Sequence, residues 1–191
     1  MSIAQGHAPL VSPEDYLLGE EGAPQKHEYL NGVVYAMAGG LVQHSRISTN
    51  ILIGLGKRLV GRRCQPFNSD VLIRVQRGED LRFYYPDVSV ICDPNAPDER
   101  FHDHPVVVFE VLSESTARTD RGEKREAYFS ISSLRVFALV EVETRAVTMW
   151  RRGKKGWTAE YFTEADAVLR LQEIECELPL AEIYSATGIE H

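Results

Sequence analysis

Residues 106–124 read VVVFEVLSESTARTDRGEK, and this stretch decides the fold. Its first part, Val106 to Leu112, is apolar at every position except Glu110, as is typical of a central strand buried on both faces. Side chains alternate along a strand, so Glu110 points to the same face as Val108 and Leu112. A carboxylate at the end of a buried strand needs a cation, a proton or several hydrogen-bond donors. The sequence therefore indicates a polar site at this end of the strand.

The same stretch leads into a helix, which we predict over residues 120–131. Asp120 and Glu123 have the spacing of a capping box at its start. A stripe with the period of a helix should face the sheet; it contains Lys124, Ala127, Tyr128 and Ile131. An inward lysine near carboxylates can hold a water that attacks a phosphate. Two plainer interpretations stay open: Lys124 extends past the helix towards water, and Tyr128 only packs.

A second acid lies on the preceding predicted strand, which we place over residues 84–92. Pro86 has no backbone N–H to give to a sheet, so pairing is expected to begin or fray there. Asp87 would then lie near Glu110, provided that the two strands are antiparallel neighbours. Two carboxylates, completed by water and a substrate phosphate, suit Mg²⁺. Alternatively, Asp87 is a strand-start residue and Glu110 forms a salt bridge with an arginine.

The rest of the chain predicts an α/β (or α+β) fold, with a mixed β-sheet flanked by helices and a C-terminal β-meander. Asn31-Gly32 is a strong hairpin signal. The other predicted elements are a helix from Pro13 to about Gly22, strands over 26–30 and 33–37, a helix over about 41–60, a strand around 71–75, a loop over 93–105, meander strands over 134–142, 146–150 and 157–162, and a short closing helix or turn over 178–184.

Composition indicates one globular domain over residues 1–191, with residues 1–11 expected to be flexible. The chain has 43% hydrophobic and 26% charged residues and a net charge of −7, which argues against strong, indiscriminate nucleic-acid binding. No apolar run reaches the length of a membrane span, and the first residues lack the pattern of a signal peptide. The 3 cysteines never form CxxC, and we expect them to be reduced thiols in a cytoplasmic protein.

In this order and spacing, Pro86-Asp87 and Glu110-Val111-Leu112 resemble the PD-(D/E)XK nuclease superfamily. That pattern has a lysine two residues after the acid, where this chain has Leu112. Lys124 looks like the relocated lysine of some branches. The sequence also resembles, from about Ser12 to Tyr184, the Uma-type domain of unknown function, which is grouped with restriction endonucleases. The matching residues are His27 to Gly32, His44, Pro86 to Val88, Glu110 to Ser113, Ser115, Thr116, Asp120, Lys124 and Tyr128.

The resemblance implies a restriction-endonuclease-like fold that binds Mg²⁺ or Mn²⁺ through Asp87 and Glu110. Glu28 and His44 would line the same cleft, Glu28 as an extra metal ligand. Lys124 would orient the attacking water, with Tyr128 in support. Residue by residue, plainer roles remain for two of these: Glu28 pairs with Lys26 or an arginine on the surface, and His44 is a satisfied core histidine.

The expected function is metal-dependent endonucleolytic hydrolysis of DNA. A weakly active nuclease-fold binding or regulatory module, and a phosphoesterase acting on RNA or nucleotides, are the alternatives. A basic turn could contact phosphates or be a solvated hairpin tip; it contains Arg151, Arg152, Lys154 and Lys155. Because cutting both strands of a duplex favours two symmetric sites, a homodimer is expected, with Trp150 and Trp157 as interface candidates.

Overall fold

The structure, a computed structural model, describes residues 10–37, 39–112 and 120–189, and for residues 120 and 121 the backbone only. The helices are α1 (Pro13–Glu20), α2 (Val42–Leu59), α3 (Arg125–Ser130, preceded by a π-helical turn over Asp120–Lys124) and α4 (Leu180–Ile183). The strands are β1 (His27–Leu30), β2 (Val33–Ala36), β3 (Gln65–Asn68), β4 (Leu72–Arg77), β5 (Asp80–Tyr84), β6 (Val88–Ile91), β7 (Phe101–His102), β8 (Pro105–Val111), β9 (Val136–Val140), β10 (Val147–Gly153), β11 (Gly156–Phe162), β12 (Val168–Leu171) and β13 (Cys176–Pro179).

Two mixed sheets and a small hairpin organise these strands. A 5-stranded sheet has the order β2-β1-β5-β4-β7, and a 6-stranded sheet has the order β11-β10-β9-β8-β6-β3. Strands β12 and β13 form the hairpin. The β8–β9 and β4–β7 pairs are parallel, whereas the other pairs are antiparallel. The predicted fold class, a mixed sheet flanked by helices with a meander near the C-terminus, is confirmed.

Strand β8 divides two hydrophobic cores. Val107 and Phe109 pack on the side of α2, together with Ile51. Val108 and Leu112 point to the other side and join the core that contains Tyr128 of α3. Pairing with β6 and β9 satisfies both edges of β8, and the two cores cover its faces. The prediction of a central strand with Glu110 on the Val108 face follows from this alternation and is confirmed.

The single strand predicted over residues 84–92 is wrong. Tyr84 ends β5 in the smaller sheet, and Val88 begins β6 in the larger one. The chain passes between the sheets at Tyr85, Pro86 and Asp87, where a proline cannot donate to a ladder. The sequence analysis also missed β3, β7, β12 and β13, which are all short and carry weak alternation.

The hairpin and helix α2 agree more closely with the sequence prediction than residues 84–92 do. Asn31 and Gly32 have φ values of 48° and 92°, as the two central residues of a type I′ turn require. Helix α2 has an apolar stripe that is fully buried at Ile47, Ile51, Leu55 and Leu59. Leu41, where the helix was predicted to begin, precedes α2 and is 67% exposed.

The prediction that all three cysteines are reduced thiols is wrong. Cys64 and Cys92 form a disulfide, with Cα atoms 3.9 Å apart, and Cys176 is free and buried. Gln65 pairs with Ile91 in the β3–β6 ladder, so the next residue outward on each strand faces the other. The two cysteines are 28 residues apart in sequence, and only the strand register brings them together.

The described residues begin at Leu10, so the flexibility expected for residues 1–9 lies outside them. Val11, expected to be flexible, donates its N–H to the Gly32 carbonyl at 2.9 Å. No helix in the described ranges is long and apolar enough to cross a membrane. That the chain forms a single domain stays a prediction.

Replacing Phe109 with alanine should destabilise the protein strongly, because its ring is completely buried in the core beneath α2. We expect a loss of about 3–5 kcal/mol in the free energy of unfolding, measured by urea denaturation. Tyr161→Ala is the control, since Tyr161 is 74% exposed and should change stability little. Equal stabilities for the two variants would contradict the assigned burial.

The disulfide predicts a count of accessible thiols. The unfolded protein should react with one equivalent of a thiol reagent per chain, at Cys176, when no reductant has been added. After reduction the count should rise to 3. Three reactive thiols before reduction, in protein purified under air without reductant, would contradict the Cys64–Cys92 bond.

Candidate active site

Lys124 connects two acids that come from different strands. Its Nζ lies 2.7 Å from Oε1 of Glu28 on β1 and 3.7 Å from Oε1 of Glu110 on β8. Glu110 and Lys124 are only 3% and 5% exposed. The predicted inward direction of Lys124 is therefore confirmed, and Glu28 forms a largely buried pair with this lysine instead of the alternative surface pair with Lys26 or an arginine.

Asp87 lies beside Glu110 because of the strand register. Val88 faces Phe109 in the antiparallel β6–β8 ladder, so one step further Asp87 comes opposite Glu110. The Asp87 Oδ2 atom accepts a hydrogen bond from the backbone N–H of Val111 at 2.7 Å. This bond fixes the carboxylate next to the strand end that carries Glu110.

His44 reaches the same place from α2. Its Nε2 lies 3.3 Å from the Oδ2 atom of Asp87, and both side chains are partly exposed. The backbone of Gly40 packs against the His44 ring, so closely that a β-carbon at position 40 would lie 3.1 Å from Nδ1. His44 thus belongs to the cleft, and its position depends on a close approach that glycine permits.

Two tyrosines line the buried side of the cluster. The Tyr128 hydroxyl donates to Oε1 of Glu110 at 3.2 Å. Burial raises the pKa of Tyr128 well above its ordinary value, so the hydroxyl stays protonated and remains a donor. Burial likewise raises the pKa of Tyr84 to about 12, and Nζ of Lys124 lies 5.5 Å from its ring centroid.

Arg82 is a supporting residue that the sequence analysis missed. Its guanidinium binds Glu123 at 2.8 Å and donates to the Tyr84 hydroxyl at 3.2 Å. It therefore ties the turn that carries Lys124 to strand β5. The available signal was the alternation of Arg82 and Tyr84 on one strand face, which was overlooked because β5 was not recognised as a separate strand.

A second missed network holds β1 in place. Glu20 of α1 accepts the backbone N–H of His27 at 3.1 Å and contacts its ring Nδ1 at 2.7 Å. The Tyr85 hydroxyl also donates to Glu20, at 3.1 Å, and the Tyr16 hydroxyl donates to the His27 carbonyl at 2.6 Å. Glu28 is the next residue along the chain, so these bonds fix the backbone from which it projects.

The basic turn is only partly available to a ligand. Arg151 binds Glu160 and Glu173, and Arg152 donates to the carbonyl of Ile131 and stacks over the Trp157 ring. Both arginines stabilise the meander, which leaves Lys154 and Lys155 as the exposed cations of the turn.

The remaining residues that carry the resemblance lie either in the hydrophobic core or outside the described residues. Leu112, at the position of the expected lysine, is buried against the Tyr128 core. Ser113, Ser115, Thr116 and the Asp120 side chain lie outside the described residues.

The carboxylate oxygens of the cluster are the type of ligand that a hard divalent cation such as Mg²⁺ prefers. Asp87 and Glu110 supply carboxylate oxygens from facing positions beside two neighbouring strands, and Glu28 is a further carboxylate that contacts Lys124. Within the described ranges, no group of three or more His, Cys, Asp or Glu side chains is placed to hold a metal ion. A cation here would need water and a substrate phosphate for its remaining ligands, as is usual for Mg²⁺.

A solved structure defines the class of fold. The crystal structure of a putative nuclease belonging to DUF820 from Anabaena variabilis is 18% identical, with a TM-score of 0.70. The match covers 91% of this chain and 97% of that one. The fold is thus the one seen in that nuclease candidate.

The family follows from the sequence comparisons. Residues 13–181 match the family described as Uma2, "Putative restriction endonuclease". An uncharacterized protein of Synechocystis sp., slr1290, is 35% identical over 178 residues, or 92% of each chain. A second, sll1609, is 28% identical over 78% of this chain and 85% of its own. The chain belongs to the Uma2 family, and the resemblance found in its sequence is confirmed.

Removing the Tyr128 hydroxyl should weaken the cluster while leaving the ring in the core. We expect Tyr128→Phe to lower the free energy of unfolding by about 1–2 kcal/mol, because Glu110 loses a buried hydrogen-bond donor. Tyr161→Phe, on the exposed surface, is the matched control and should leave stability unchanged. Identical denaturation midpoints for both variants would show that the Tyr128 hydroxyl contributes no such bond.

Proposed function

We propose that this chain is a metal-dependent endonuclease that hydrolyses DNA phosphodiester bonds at the Asp87–Glu110–Lys124 cluster. The observation that carries the proposal is the contact of Lys124 with Glu110, 3.7 Å apart and both buried. The lysine position of the PD-(D/E)XK pattern, just after β8, holds Leu112, yet an ammonium group reaches Glu110 from the turn before α3. Family membership and the nuclease-like fold support the same reaction class.

Asp87 and Glu110 would hold Mg²⁺ or Mn²⁺, and Glu28 would be a further ligand through a bound water. The bound cation would supply positive charge to the phosphate and to the oxygen that leaves. The chain's own contribution is to present two carboxylates at facing positions. Asp87 keeps its orientation through the Val111 N–H, and the Tyr128 hydroxyl orients Glu110.

Lys124 has the chemistry required to orient the attacking water. Its ammonium group donates three hydrogen bonds and accepts none, so it can bind the water oxygen and leave the water protons for a carboxylate. Glu28, at 2.7 Å from Nζ and less buried than Glu110, is placed to accept such a proton. The water oxygen then bonds to phosphorus, the bond to the leaving sugar oxygen breaks, and that oxygen takes up a proton from solvent water.

One observation favours a second candidate, a nuclease-fold module that binds nucleic acid with little turnover. Lys124 already contacts two acids, and an ammonium held between carboxylates has less freedom to bind water. DNA in the cytoplasm is the proposed substrate in the first case and the proposed ligand in the second. Cleavage of RNA or nucleotides in preference to DNA would instead support the phosphoesterase alternative.

Cleavage should depend on a divalent metal and on Asp87. Wild-type protein is expected to cut plasmid or oligonucleotide DNA with Mg²⁺ or Mn²⁺ and not with EDTA. Asp87→Asn should lower the rate about a hundredfold or more, a loss typical of removing one transition-state electrostatic contact. Asparagine can still accept the Val111 N–H, so the fold should be retained, as circular dichroism would verify.

Asp93→Asn is the matched control, because Asp93 is an exposed acid that pairs with Arg63. It should cut at the wild-type rate. Metal binding by calorimetry without turnover in the wild type would support the binding module instead. Full activity in Asp87→Asn would remove this carboxylate from the mechanism.

A further inference from the structure

Strand β2 has one side with which no other described strand pairs. It is the outermost strand of the smaller sheet, and all its residues, Val33–Ala36, are exposed. Val33, Val34 and Tyr35 are 42%, 36% and 52% exposed. Proteins usually protect such edges with charge, proline or shortness, because unpaired backbone groups invite another strand. Here the exposed residues are apolar on both faces of the strand.

Other edges within the described sheets carry that protection. Strand β3 contains Pro66, strand β7 is only two residues long, and β11 carries Glu160 and follows a turn with two lysines. Strand β2 lacks the proline and the charged residues of those edges and is longer than β7, so its outer backbone groups are available to a partner strand. We infer that this partner is the β2 strand of a second copy of the chain, paired antiparallel about a two-fold axis at Tyr35.

The hydrogen-bonding pattern of β2 fits that arrangement. Met37 donates its N–H to the Lys26 carbonyl at 2.9 Å. Bonded and non-bonded pairs alternate along an antiparallel ladder, so Tyr35 and Val33 also direct their backbone groups towards β1. Val34 and Ala36 direct theirs outward, and these two residues flank Tyr35 symmetrically.

A two-fold axis at Tyr35 therefore pairs Val34 of each copy with Ala36 of the other. All the outward N–H and C=O groups of these residues find partners, and Tyr35 faces its own counterpart. An unrelated peptide could add to the same edge, and in that case the purified wild-type protein would stay monomeric. Val33–Ala36 contains no charge that would repel an identical strand, although the chain carries −7 overall.

The pairing also relates two candidate active sites. Tyr35 is the ladder partner of Glu28, so its side chain lies on the sheet face that carries Glu28. In the dimer, a row of facing residues would cross the joined sheet. It would run from Glu28 to Tyr35, across the two-fold axis to the second Tyr35, and on to the second Glu28. Three strand spacings separate the two Glu28 positions, about 14 Å. Both sites would open on the same face of one continuous sheet.

The expected tryptophan interface is less suited to this role. Trp157 stacks on Phe129 with ring centroids 4.0 Å apart, and Trp150 contacts the Phe129 and Phe137 rings. Both tryptophans are partly buried within the chain. The inferred dimer therefore uses the 5-stranded sheet instead of the 6-stranded sheet that carries the tryptophans. It does not depend on whether the chain cleaves DNA.

The first test is the mass in solution by light scattering over a range of concentrations. Wild type should shift from the mass of one chain to that of two, and Val34→Pro should stay at one. Proline removes an outward N–H and spares the bonds to β1. Val34→Ala keeps the N–H and should still dimerise. A wild-type monomer at every concentration, or an unaffected dimer in Val34→Pro, would overturn the inference.

The second test is disulfide trapping, which stays informative even if the proline variant unfolds. Under mild oxidation Tyr35→Cys should convert largely to a covalent dimer, since facing residues on the axis are within disulfide reach. Val33→Cys, on the same face and similarly exposed, lies off the axis and should remain monomeric, as should the wild type. Equal trapping of both variants, or none, would overturn the proposed register. Neither test uses nuclease activity, so failure of the proposed function would not affect them.

Discussion

The ammonium group of Lys124, held between Glu28 and Glu110, is the interaction on which the candidate site depends. Opposite unit charges about 4 Å apart attract by about 4 kcal/mol at an effective dielectric constant of 20. Removing such charges from water costs several kcal/mol for each ion. A buried carboxylate therefore has to be placed together with its cation and with donors such as the Tyr128 hydroxyl. The fold satisfies this requirement by joining β1, β8 and the turn before α3 at one point.

The two-sheet arrangement explains how those elements meet. Strand β8 is covered on one face by α2 and on the other by the core around Tyr128, so its polar end is the place where the cores stop. The passage of the chain at Pro86 from β5 to β6 brings Asp87 to that end. Arg82 and Glu20 secure the neighbouring elements from the smaller sheet. The positions of the candidate-site groups are thus fixed by backbone pairing and by residues outside the cluster.

The edge strand β2 connects the candidate site to the proposed dimer. Strand β1, which carries Glu28, has β5 and the core on one side and β2 on the other. Any strand added to β2 extends the face on which the site lies. Assembly at this edge would add a strand beyond β2 and would leave the contacts of Lys124 with Glu28 and Glu110 in place. Pairing and chemistry can therefore be altered separately by mutation.

The sequence by itself determined the elements with strong local signals. It predicted the hairpin at Asn31-Gly32, helix α2, the central strand around Glu110 and the inward stripe of Lys124 and Tyr128, because turn chemistry and side-chain period act over a few residues. It also supported the family, whose residues recur in order along the chain. The division of residues 84–92 into two strands was not predicted, since a short apolar run gives no sign of which sheet it joins.

Only the tertiary structure decided which distant residues became neighbours. The pairing of Lys124 with Glu28, the support from Arg82 and Glu20, and the Cys64–Cys92 bond all depend on strand register and sheet order. Those are set by the packing of the whole chain, in which a shift of one residue would reverse every side chain of a strand. Local sequence fixes what each segment can be, and the common core fixes where its polar groups meet.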